Sequence, residues 1–376
     1  MQINFFGDFV APSVTHLSLS KDLEKLIGKG DVNVVNCEAV SIDNATGKYG
    51  KIAKSGPNLS QDVNTPQWLE AHGFSVVSLA NNHIFDYGED ALLATMHAFG
   101  EADVVGSGKW SEAYRPCIVN VQGKKIGFIA LTHCEFGTLT DKWEKKDESI
   151  GAAWINHPCV DKIVLGTRPC VDYLFIFAHA GVEHVNQPLP EWRDRYRSFI
   201  DMGCDGVIAS HPHVIQGWET YKGKPIVYSL GNFYFPKKDQ NAANWFRSIC
   251  ASIRIEGKGS IELNCTPLRF EPDNVYIDDT DKAQDYLQKV NRILNDELLY
   301  MDFINNTCRV RLEIYYAMLL NGGMARCHNM KKILRLLHDY AFKGLNFDST
   351  WFYNFFRCES HRWCFERGMK LQCGYK

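Results

Sequence analysis

Long apolar runs are missing from this 376-residue sequence, although 45% of its residues are hydrophobic. A helix needs about 20 consecutive apolar residues to cross a bilayer, so we expect no membrane span. A large excess of positive or negative charge is also missing, because 41 Lys and Arg residues nearly balance 44 Asp and Glu residues. The short basic stretches Lys142–Lys146 and Lys331–Lys332 are typical of solvated surfaces, and we do not expect nucleic acid as a partner.

A basic leader segment is absent at the amino terminus. The first eight residues, Met1–Asp8, contain no Lys or Arg and already include an apolar strand. Secretory signal peptides start with a positively charged segment that precedes a longer apolar one. Because cleavage here would remove the first strand, we expect no signal peptide and a cytoplasmic location.

A pattern of paired cysteines is the third missing feature. The 13 cysteines are odd in number and dispersed, and Cys37 and Cys250 lie in apolar, strand-like segments. Reduced thiols in such places behave as small hydrophobic side chains. One cluster, Cys358-x-x-His361-x-x-Cys364, raises the alternative of a zinc site, but its many aromatic neighbours favour a packed helix.

What the sequence does contain is polar side chains directly after apolar segments. Five such segments predict buried strands, at residues 2–6, 31–35, 75–79, 173–177 and 205–209. The carboxyl ends of parallel strands meet at one edge of a sheet, where α/β proteins bind ligands. Mixed carboxylate, amide and imidazole ligands suit a two-metal hydrolytic centre in which a water becomes the nucleophile. The residues that follow the strands are Asp8; Asn36 and Glu38; Asn82 and His83; His179; and His211 and His213.

Several of these residues have a second interpretation. A single histidine after a strand is more often structural than a metal ligand, but three at strand ends favour a metal site. Pro212 predicts a stiff loop that holds His211 in extended geometry. Asp86 either orients a catalytic histidine or caps the helix that follows it. Glu183 is either an active-site acid or a surface residue, and Asn232 either lines the cleft or ends a strand.

Taken together, these motifs resemble the bacterial capsule-synthesis proteins of the CapA or PgsA type, which belong to poly-γ-glutamate capsule biosynthesis and to the calcineurin-like metallophosphatase superfamily. Their order and spacing match from about residue 1 to residue 270. The motifs that carry the resemblance are Gly7-Asp8, Asn36-Cys37-Glu38, the segment LANNHIFDYG at 79–88, His179-Ala180-Gly181-Val182-Glu183, Ser210-His211-Pro212-His213-Val214 and Tyr228-Ser229-Leu230-Gly231-Asn232-Phe233.

The resemblance implies a role for individual residues. His83 is similar to the catalytic histidine of the superfamily, with Asp86 as its partner. The implied cofactors are one or two divalent metal ions, either Mn, Zn or Fe. The implied metal ligands are Asp8, Glu38, Asn82, His179, His211 and His213. The implied substrate contacts are Glu183, Asn232 and Asn36.

The first motif departs from the superfamily pattern. Metallophosphatases generally carry Asp-x-His there, whereas Asp8 is followed by Phe9 and Val10. Glu38 stands where a bridging aspartate is usual. We therefore expect one well-formed metal site, built by Asn82, His179, His211 and Glu38, and a weaker one, built by Asp8, Glu38 and His213.

The order of elements predicts the α/β class, and the resemblance implies a four-layer metallophosphatase-like αββα sandwich with mixed sheets. We expect this domain at residues 1–272 and a helical C-terminal extension at 273–376. Apolar faces of the extension pack on the main domain, on each other or in a homo-oligomer. Helices are expected there at 282–295, 309–320, 330–342 and 351–368.

Two functions are compatible with these features. The first is a metal-dependent hydrolase of the phosphoesterase or amidase class, acting on a small-molecule or polymer-precursor substrate. The resemblance links that substrate to capsule, poly-γ-glutamate or cell-surface polysaccharide metabolism. The alternative is a non-enzymatic capsule-assembly factor with a degenerate metal centre. The incomplete first motif favours the assembly factor, whereas the retained asparagine and four histidines favour the enzyme more strongly.

Overall fold

A computed structural model describes residues 1–139, 149–236, 244–256, 260–320 and 349–375. The strands in these ranges are β1 (Gln2–Phe9), β2 (Ser18–Leu19), β3 (Val32–Cys37), β4 (Val40–Ser41), β5 (Ser60–Gln61), β6 (Val76–Ser78), β7 (Asp103–Val105), β8 (Ser107–Lys109), β9 (Cys117–Val121), β10 (Lys124–Thr132), β11 (Thr138–Leu139), β12 (Ile150–Ala153), β13 (Tyr173–His179), β14 (Gly206–Ser210), β15 (Ile215–Tyr221), β16 (Lys224–Leu230), β17 (Asn232–Tyr234), β18 (Arg247–Glu256), β19 (Ser260–Glu271) and β20 (Asn274–Ile277). The helices are α1 (Lys21–Gly28), α2 (Thr65–Ala71), α3 (Gly88–Ala98), α4 (Trp110–Ala113), α5 (Cys159–Thr167), α6 (Pro190–Asp201), α7 (Asp281–Asn295), α8 (Glu297–Leu320), α9 (Ser349–Arg357) and α10 (Glu359–Gln372).

Two mixed sheets form the centre of the protein. The first has the order β2-β20-β19-β18-β1-β3-β6-β7, and β17 also pairs with β1. Its strands β1, β3, β6 and β7 are parallel, whereas β18 to β20 are antiparallel. The second sheet has the order β15-β16-β14-β13-β10-β9, with antiparallel strands at both edges.

Three hydrophobic clusters separate four layers. Side chains of neighbouring strand residues point to opposite faces, so Phe5 lies between the two sheets with Phe175, while Phe6 packs outward with residues of α1, α2 and α3. On the second sheet, Ile176 packs outward with residues of α5, α6, α8 and α9. The expected four-layer αββα sandwich with mixed sheets is therefore confirmed.

The five strands predicted from apolar segments are present as β1, β3, β6, β13 and β14. Hairpins join β9 to β10 and β15 to β16. Strands β18 and β19 also pair antiparallel, and residues 257–259 between them lie outside the described residues.

The C-terminal helices differ from the prediction in two ways. Helix α8 begins at Glu297, well before the predicted start at 309, because Asp296 accepts hydrogen bonds from the first-turn amides of Leu298 and Leu299. The single helix expected at 351–368 is two helices, since Cys358 has extended backbone angles and forms the N-cap of α10. The helix expected at 330–342 lies outside the described residues.

The C-terminal helices lie against the second sheet, where Ile304 of α8 and Phe355 of α9 join the cluster on its outer face. The first sheet itself continues through β20 to Ile277. Within the described ranges, no helix combines the length and apolar character that a bilayer crossing requires.

Phe5 provides a test of the contact between the sheets. Its ring is fully buried and lies 5.7–6.1 Å from the rings of Phe128, Phe175 and Phe177. Phe5→Ala should lower the free energy of unfolding by about 3–5 kcal/mol, because it leaves a cavity between two sheets. The control is Phe356→Ala, on the exposed face of α9, which should change the free energy of unfolding measured in urea by less than about 0.5 kcal/mol. Equal losses in both variants would contradict this assignment.

Candidate metal centre

The carboxyl ends of both sheets meet at the candidate site. In the first sheet, Asp8 at the end of β1 is in register with Asn36 of β3 and Asn232 of β17. In the second, His179 at the end of β13 is in register with Ser210 of β14. Each of the six predicted ligands is 4% exposed or less: Asp8, Glu38, Asn82, His179, His211 and His213.

His179 is the centre of the first group. Its Nε2 lies 3.0 Å from Asn82 Oδ1 and 3.1 Å from His211 Nδ1. Its Nδ1 lies 3.1 Å from Ser210 Oγ, which can accept the Nδ1 proton and leave Nε2 with a free lone pair. Three lone-pair donors thus converge within about the spacing that ligands of one cation adopt.

Glu38 gives the clearest indication of a cation. Both of its carboxylate oxygens are buried, and neither accepts a hydrogen bond from the described residues. Oε1 lies 3.5 Å from His179 Nε2 and 3.7 Å from His213 Nε2. Burial, together with the negative charge of Asp8, raises the pKa of Glu38 well above its usual range. A divalent cation would compensate the unpartnered oxygens and the repulsion, so the residues present fit a metal.

Ligand atoms are grouped on both sides of Glu38. On one side they come from His179 and His211, and on the other from Asp8 and His213, with all ligand atoms of a group within 4.8 Å of one another. These are the two groups expected from the sequence. Burial raises the pKa of Asp8, but hydrogen bonds and charge from His179 and His213 outweigh burial and hold it well below its usual value.

The loop that carries His211 and His213 has unusual backbone angles. His211 has a φ of 99° and His213 a φ of 57°, which side-chain-bearing residues adopt rarely. The predicted extended geometry of His211 is therefore wrong. The Asp8 carboxylate accepts the His211 N–H at 3.2 Å and so fixes the loop. Gly181 packs closely against Pro212, since a Cβ atom on residue 181 would lie 2.6 Å from the Pro212 ring.

His83 lies in a second polar group beside the metal ligands. Its Nδ1 is 2.7 Å from Asp86 Oδ2, and because a carboxylate only accepts, Nδ1 donates and Nε2 is left for a reacting group. Lys54 forms a buried ion pair with Asp86. Burial and the Lys54 charge lower the pKa of His83, against the raising effect of Asp86. Asp86 thus contacts His83, while Tyr87 is the N-cap of α3.

The remaining predicted site residues occupy distinct positions. Asn36 donates to Asp8 Oδ1 at 2.8 Å and accepts from Asn81, so its amide is engaged within the protein. The Oδ1 atom of Asn232 lies 2.9 Å from His213 Nδ1, and Asn232 Nδ2 donates to the His213 carbonyl oxygen at 3.4 Å. Both asparagines are buried and orient ligands. Glu183 lies at the rim, with 47% of its side chain exposed.

Three functional candidates were missed from the sequence. Glu135 accepts from Asn82 Nδ2 at 3.0 Å and lies 3.1 Å from His133 Nε2, and His133, Glu135 and His211 form another group of potential ligands. A signal was present, because Thr132-His133-Cys134-Glu135 follows the apolar strand β10 directly. Lys54 lies in the segment between β4 and β5, and no local sequence pattern indicates that it pairs with Asp86.

His213 predicts a pH dependence of stability in the metal-free protein. Burial lowers its pKa, but Glu38 and Asp8 raise it to about 9. A histidine whose folded pKa is raised contributes stability that is present below the unfolded pKa and is lost as pH rises through the folded value. Between pH 6.5 and pH 9, the free energy of unfolding of chelator-treated protein should therefore fall by roughly 3 kcal/mol. Urea denaturation of His213→Gln should lack this decline, and a parallel decline would assign it to other groups.

Comparison with known proteins identifies a family for the chain. The chain matches the family described as "Bacterial capsule synthesis protein PGA_cap" over residues 7–237, more than half of its length. It is 29% identical over 222 residues to the capsule biosynthesis protein CapA of Bacillus anthracis, covering 57% of this chain and 52% of that protein. It is 27% identical over 225 residues to the PGA biosynthesis protein CapA of Bacillus subtilis (strain 168), covering 59% and 57%. The match thus spans about half the length of these relatives.

Among solved structures, the chain is similar to a putative 5'-nucleotidase from Staphylococcus aureus. The TM-score is 0.46 at 13% sequence identity, and the match covers 77% of this chain and 58% of that one. The strand order and the four layers of the protein define its fold without reference to this likeness. The matched range 7–237 includes every metal ligand and catalytic residue expected from the sequence, and the chain therefore belongs to the bacterial capsule synthesis protein family PGA_cap.

Proposed function

We propose that this chain is a metal-dependent hydrolase in which Glu38 and the ligand groups on both sides of it would hold one or two divalent cations. The observation that carries the proposal is the pair of buried Glu38 oxygens without a hydrogen-bond donor, flanked by imidazoles on both sides. Asn82, His179 and His211 would complete one ion's ligand set. Asp8 and His213 would complete that of the other. A scaffold without metal would gain nothing from this unpartnered carboxylate.

Divalent ions at such a centre polarise the scissile bond and lower the pKa of a bound water. Side chains of the protein would contact the substrate and exchange a proton with its leaving group. His83, fixed through Nδ1 by Asp86, has Nε2 free to exchange a proton with the leaving-group oxygen. Lys54 holds Asp86 in place through the buried ion pair. Glu183 at the rim is available to contact a substrate.

The substrate class follows from family membership and from the chemistry of the centre. PGA_cap proteins are bacterial capsule synthesis proteins, and relatives carry the names capsule biosynthesis protein CapA and PGA biosynthesis protein CapA. We propose a phosphate ester or an amide bond in a soluble precursor of capsule, poly-γ-glutamate or another cell-surface polymer.

The decisive experiment pairs metal analysis with a hydrolysis panel. Purified protein would be stripped with a chelator, reloaded with Mn, Zn or Fe, and assayed on a phosphomonoester, a phosphodiester and a γ-glutamyl amide. We expect one of these classes to be hydrolysed only after reloading. Reloaded protein that binds metal but is inert on the whole panel would support the second candidate.

That second candidate is a capsule-assembly factor without catalysis. It is favoured by the ligand set around Asp8, where Phe9 stacks on Trp68 with ring centroids 5.3 Å apart and no imidazole is available from that segment. The polar group of His83, Asp86 and Lys54 argues for the enzyme, because an assembly surface does not require a buried ion pair beside a metal centre. The panel described above separates the two.

A further inference from the structure

A second group of metal ligands lies where the C-terminal helices meet the catalytic core. Cys358 and His361 come from the start of α10, and Glu135 comes from the loop after β10. Their ligand atoms all lie within 4.8 Å of one another. Zinc–ligand bonds of about 2.0–2.3 Å place tetrahedral ligands about 3.3–3.8 Å apart, so small side-chain movements would close this group on one ion.

Some buried polar atoms around this group have no hydrogen-bond partner among the described residues, as expected for atoms near a cation site. The Nδ1 atom of His361 is buried and has no hydrogen-bond partner among the described residues. Asn354, which is 7% exposed, donates to Glu135 Oε1 at 3.1 Å, while its own Oδ1 is buried without a donor. Glu135 is therefore oriented by neighbours but retains acceptor capacity, since a carboxylate accepts several bonds.

Burial, together with the charges of Glu135 and Glu359, raises the pKa of Cys358 well above its usual range, so the charge of a bound cation would be needed to stabilise the thiolate here. Cys358 is fully buried and is the N-cap residue of a 14-residue helix, whose N-terminal amides carry partial positive charge. The third member of the sequence motif, Cys364, faces elsewhere, with its Sγ 3.5 Å from Cys308 Sγ. The third ligand is therefore Glu135 of the core, which lies 223 residues before Cys358 in the sequence. No pattern in the C-terminal segment could indicate it.

We propose that Glu135, Cys358 and His361 bind a zinc ion that is separate from the centre around Glu38 and that fastens the C-terminal helices to the core. A thiolate, an imidazole and a carboxylate together select zinc over the harder divalent ions. The ligands connect the two centres, because Glu135 also accepts from Asn82 at 3.0 Å. Residues 1–139 alone cannot form this site, since two of its ligands lie in α10 and its N-cap.

The consequence for function concerns a cavity beside His83. A space of about 250 Å³ is lined on one side by Lys54 and Phe136 of the core and on the other by Tyr353, Asn354 and Arg357 of α9. Helix α9 ends directly before Cys358. A zinc ion at Cys358 would therefore hold the helical wall of this cavity in position.

Cobalt substitution of the full-length protein tests the proposal without relying on activity. A thiolate bound to Co²⁺ gives a ligand-to-metal charge-transfer band in the near ultraviolet, which carboxylate and imidazole ligands do not give. We expect this band in cobalt-loaded wild type and its loss in Cys358→Ser, together with loss of a full equivalent of tightly bound zinc. Cys250→Ser, a buried thiol in β18, is the matched control and should keep the band.

Two further variants separate this site from the proposed catalytic centre. His213→Ala should lose metal at the centre around Glu38 and keep the thiolate band. His361→Gln should retain the thiol yet weaken zinc binding by at least about 10–100-fold, which provides a test if Cys358→Ser does not fold. The absence of the band in cobalt-loaded wild type, or its persistence in Cys358→Ser, would overturn the proposal.

Discussion

Glu38→Gln is expected to abolish hydrolysis and to release metal from the centre, while making the metal-free protein more stable. The carboxylate is buried without a donor, and Asp8 repels its charge, so in the absence of metal its ionised form costs folding free energy. A neutral amide of the same shape removes that cost, which we place at about 1–3 kcal/mol at neutral pH. The neutral amide would also be a much poorer metal ligand than the carboxylate. Metal affinity should therefore fall by more than the roughly 10–100-fold that is typical when a residue hydrogen-bonded to a ligand is lost.

The opposite signs of these two effects make the test specific. Metal content, measured by mass spectrometry after dialysis, and chelator-treated unfolding in urea report them separately. Glu24→Gln on the exposed face of α1 is the matched control and should leave metal content unchanged and stability within about 0.5 kcal/mol. If Glu38→Gln destabilised the metal-free protein, or retained a full complement of metal, the carboxylate would be a structural residue and not a ligand.

His83→Asn is expected to lower kcat by about 10²–10⁴-fold with no change in metal content, the usual range for loss of a general acid or base. The Nδ1 atom of His83 is engaged with Asp86, so under the proposed function its Nε2 would be the atom that contacts the leaving oxygen. The loss should depend on the leaving group. It should be large for an alkyl phosphate or an amide, whose leaving group needs a proton, and small for a nitrophenyl ester, whose leaving group departs as an anion.

This dependence on the leaving group distinguishes proton transfer from a purely structural role. His97→Asn, on the exposed end of α3, is the matched control and should retain wild-type kinetics with both substrates. An equal loss with both leaving groups would show that His83 positions the substrate or supports the fold. A loss accompanied by reduced metal content would instead place His83 among the ligands.

Much of the fold could be predicted because the relevant signals are local. Apolar segments such as 173–177 form buried strands since no other element of that length satisfies the backbone while burying every side chain. Polar residues at the ends of these strands necessarily reach one edge of a sheet, which is why Asp8, His179 and His211 could be placed together. Helix boundaries were less predictable where a cap, such as Asp296, decided them.

Residues outside that local logic required the tertiary structure. Lys54 belongs to a loop without periodicity, and its pairing with Asp86 depends on how that loop folds over the turn after Asn82. Glu135 was missed because the strand before it, β10, is not among the five apolar segments from which the site was predicted. The left-handed backbone of His211 follows from the Asp8 carboxylate, which is more than 200 residues away.

By itself, the sequence determined the α/β class, through its alternating apolar and helical segments, and the order of polar residues at the strand ends. Through the family resemblance, those motifs also implied the αββα sandwich and six candidate metal ligands. These patterns are local, because each extends over only a few residues, so they can be recognised without knowing how the rest of the chain folds. Only the tertiary structure decided which residues complete each group. Cys358 and His361 look like part of a packed helix until Glu135 is placed beside them, because ligand convergence is a property of distances in space, and sequence spacing does not specify them.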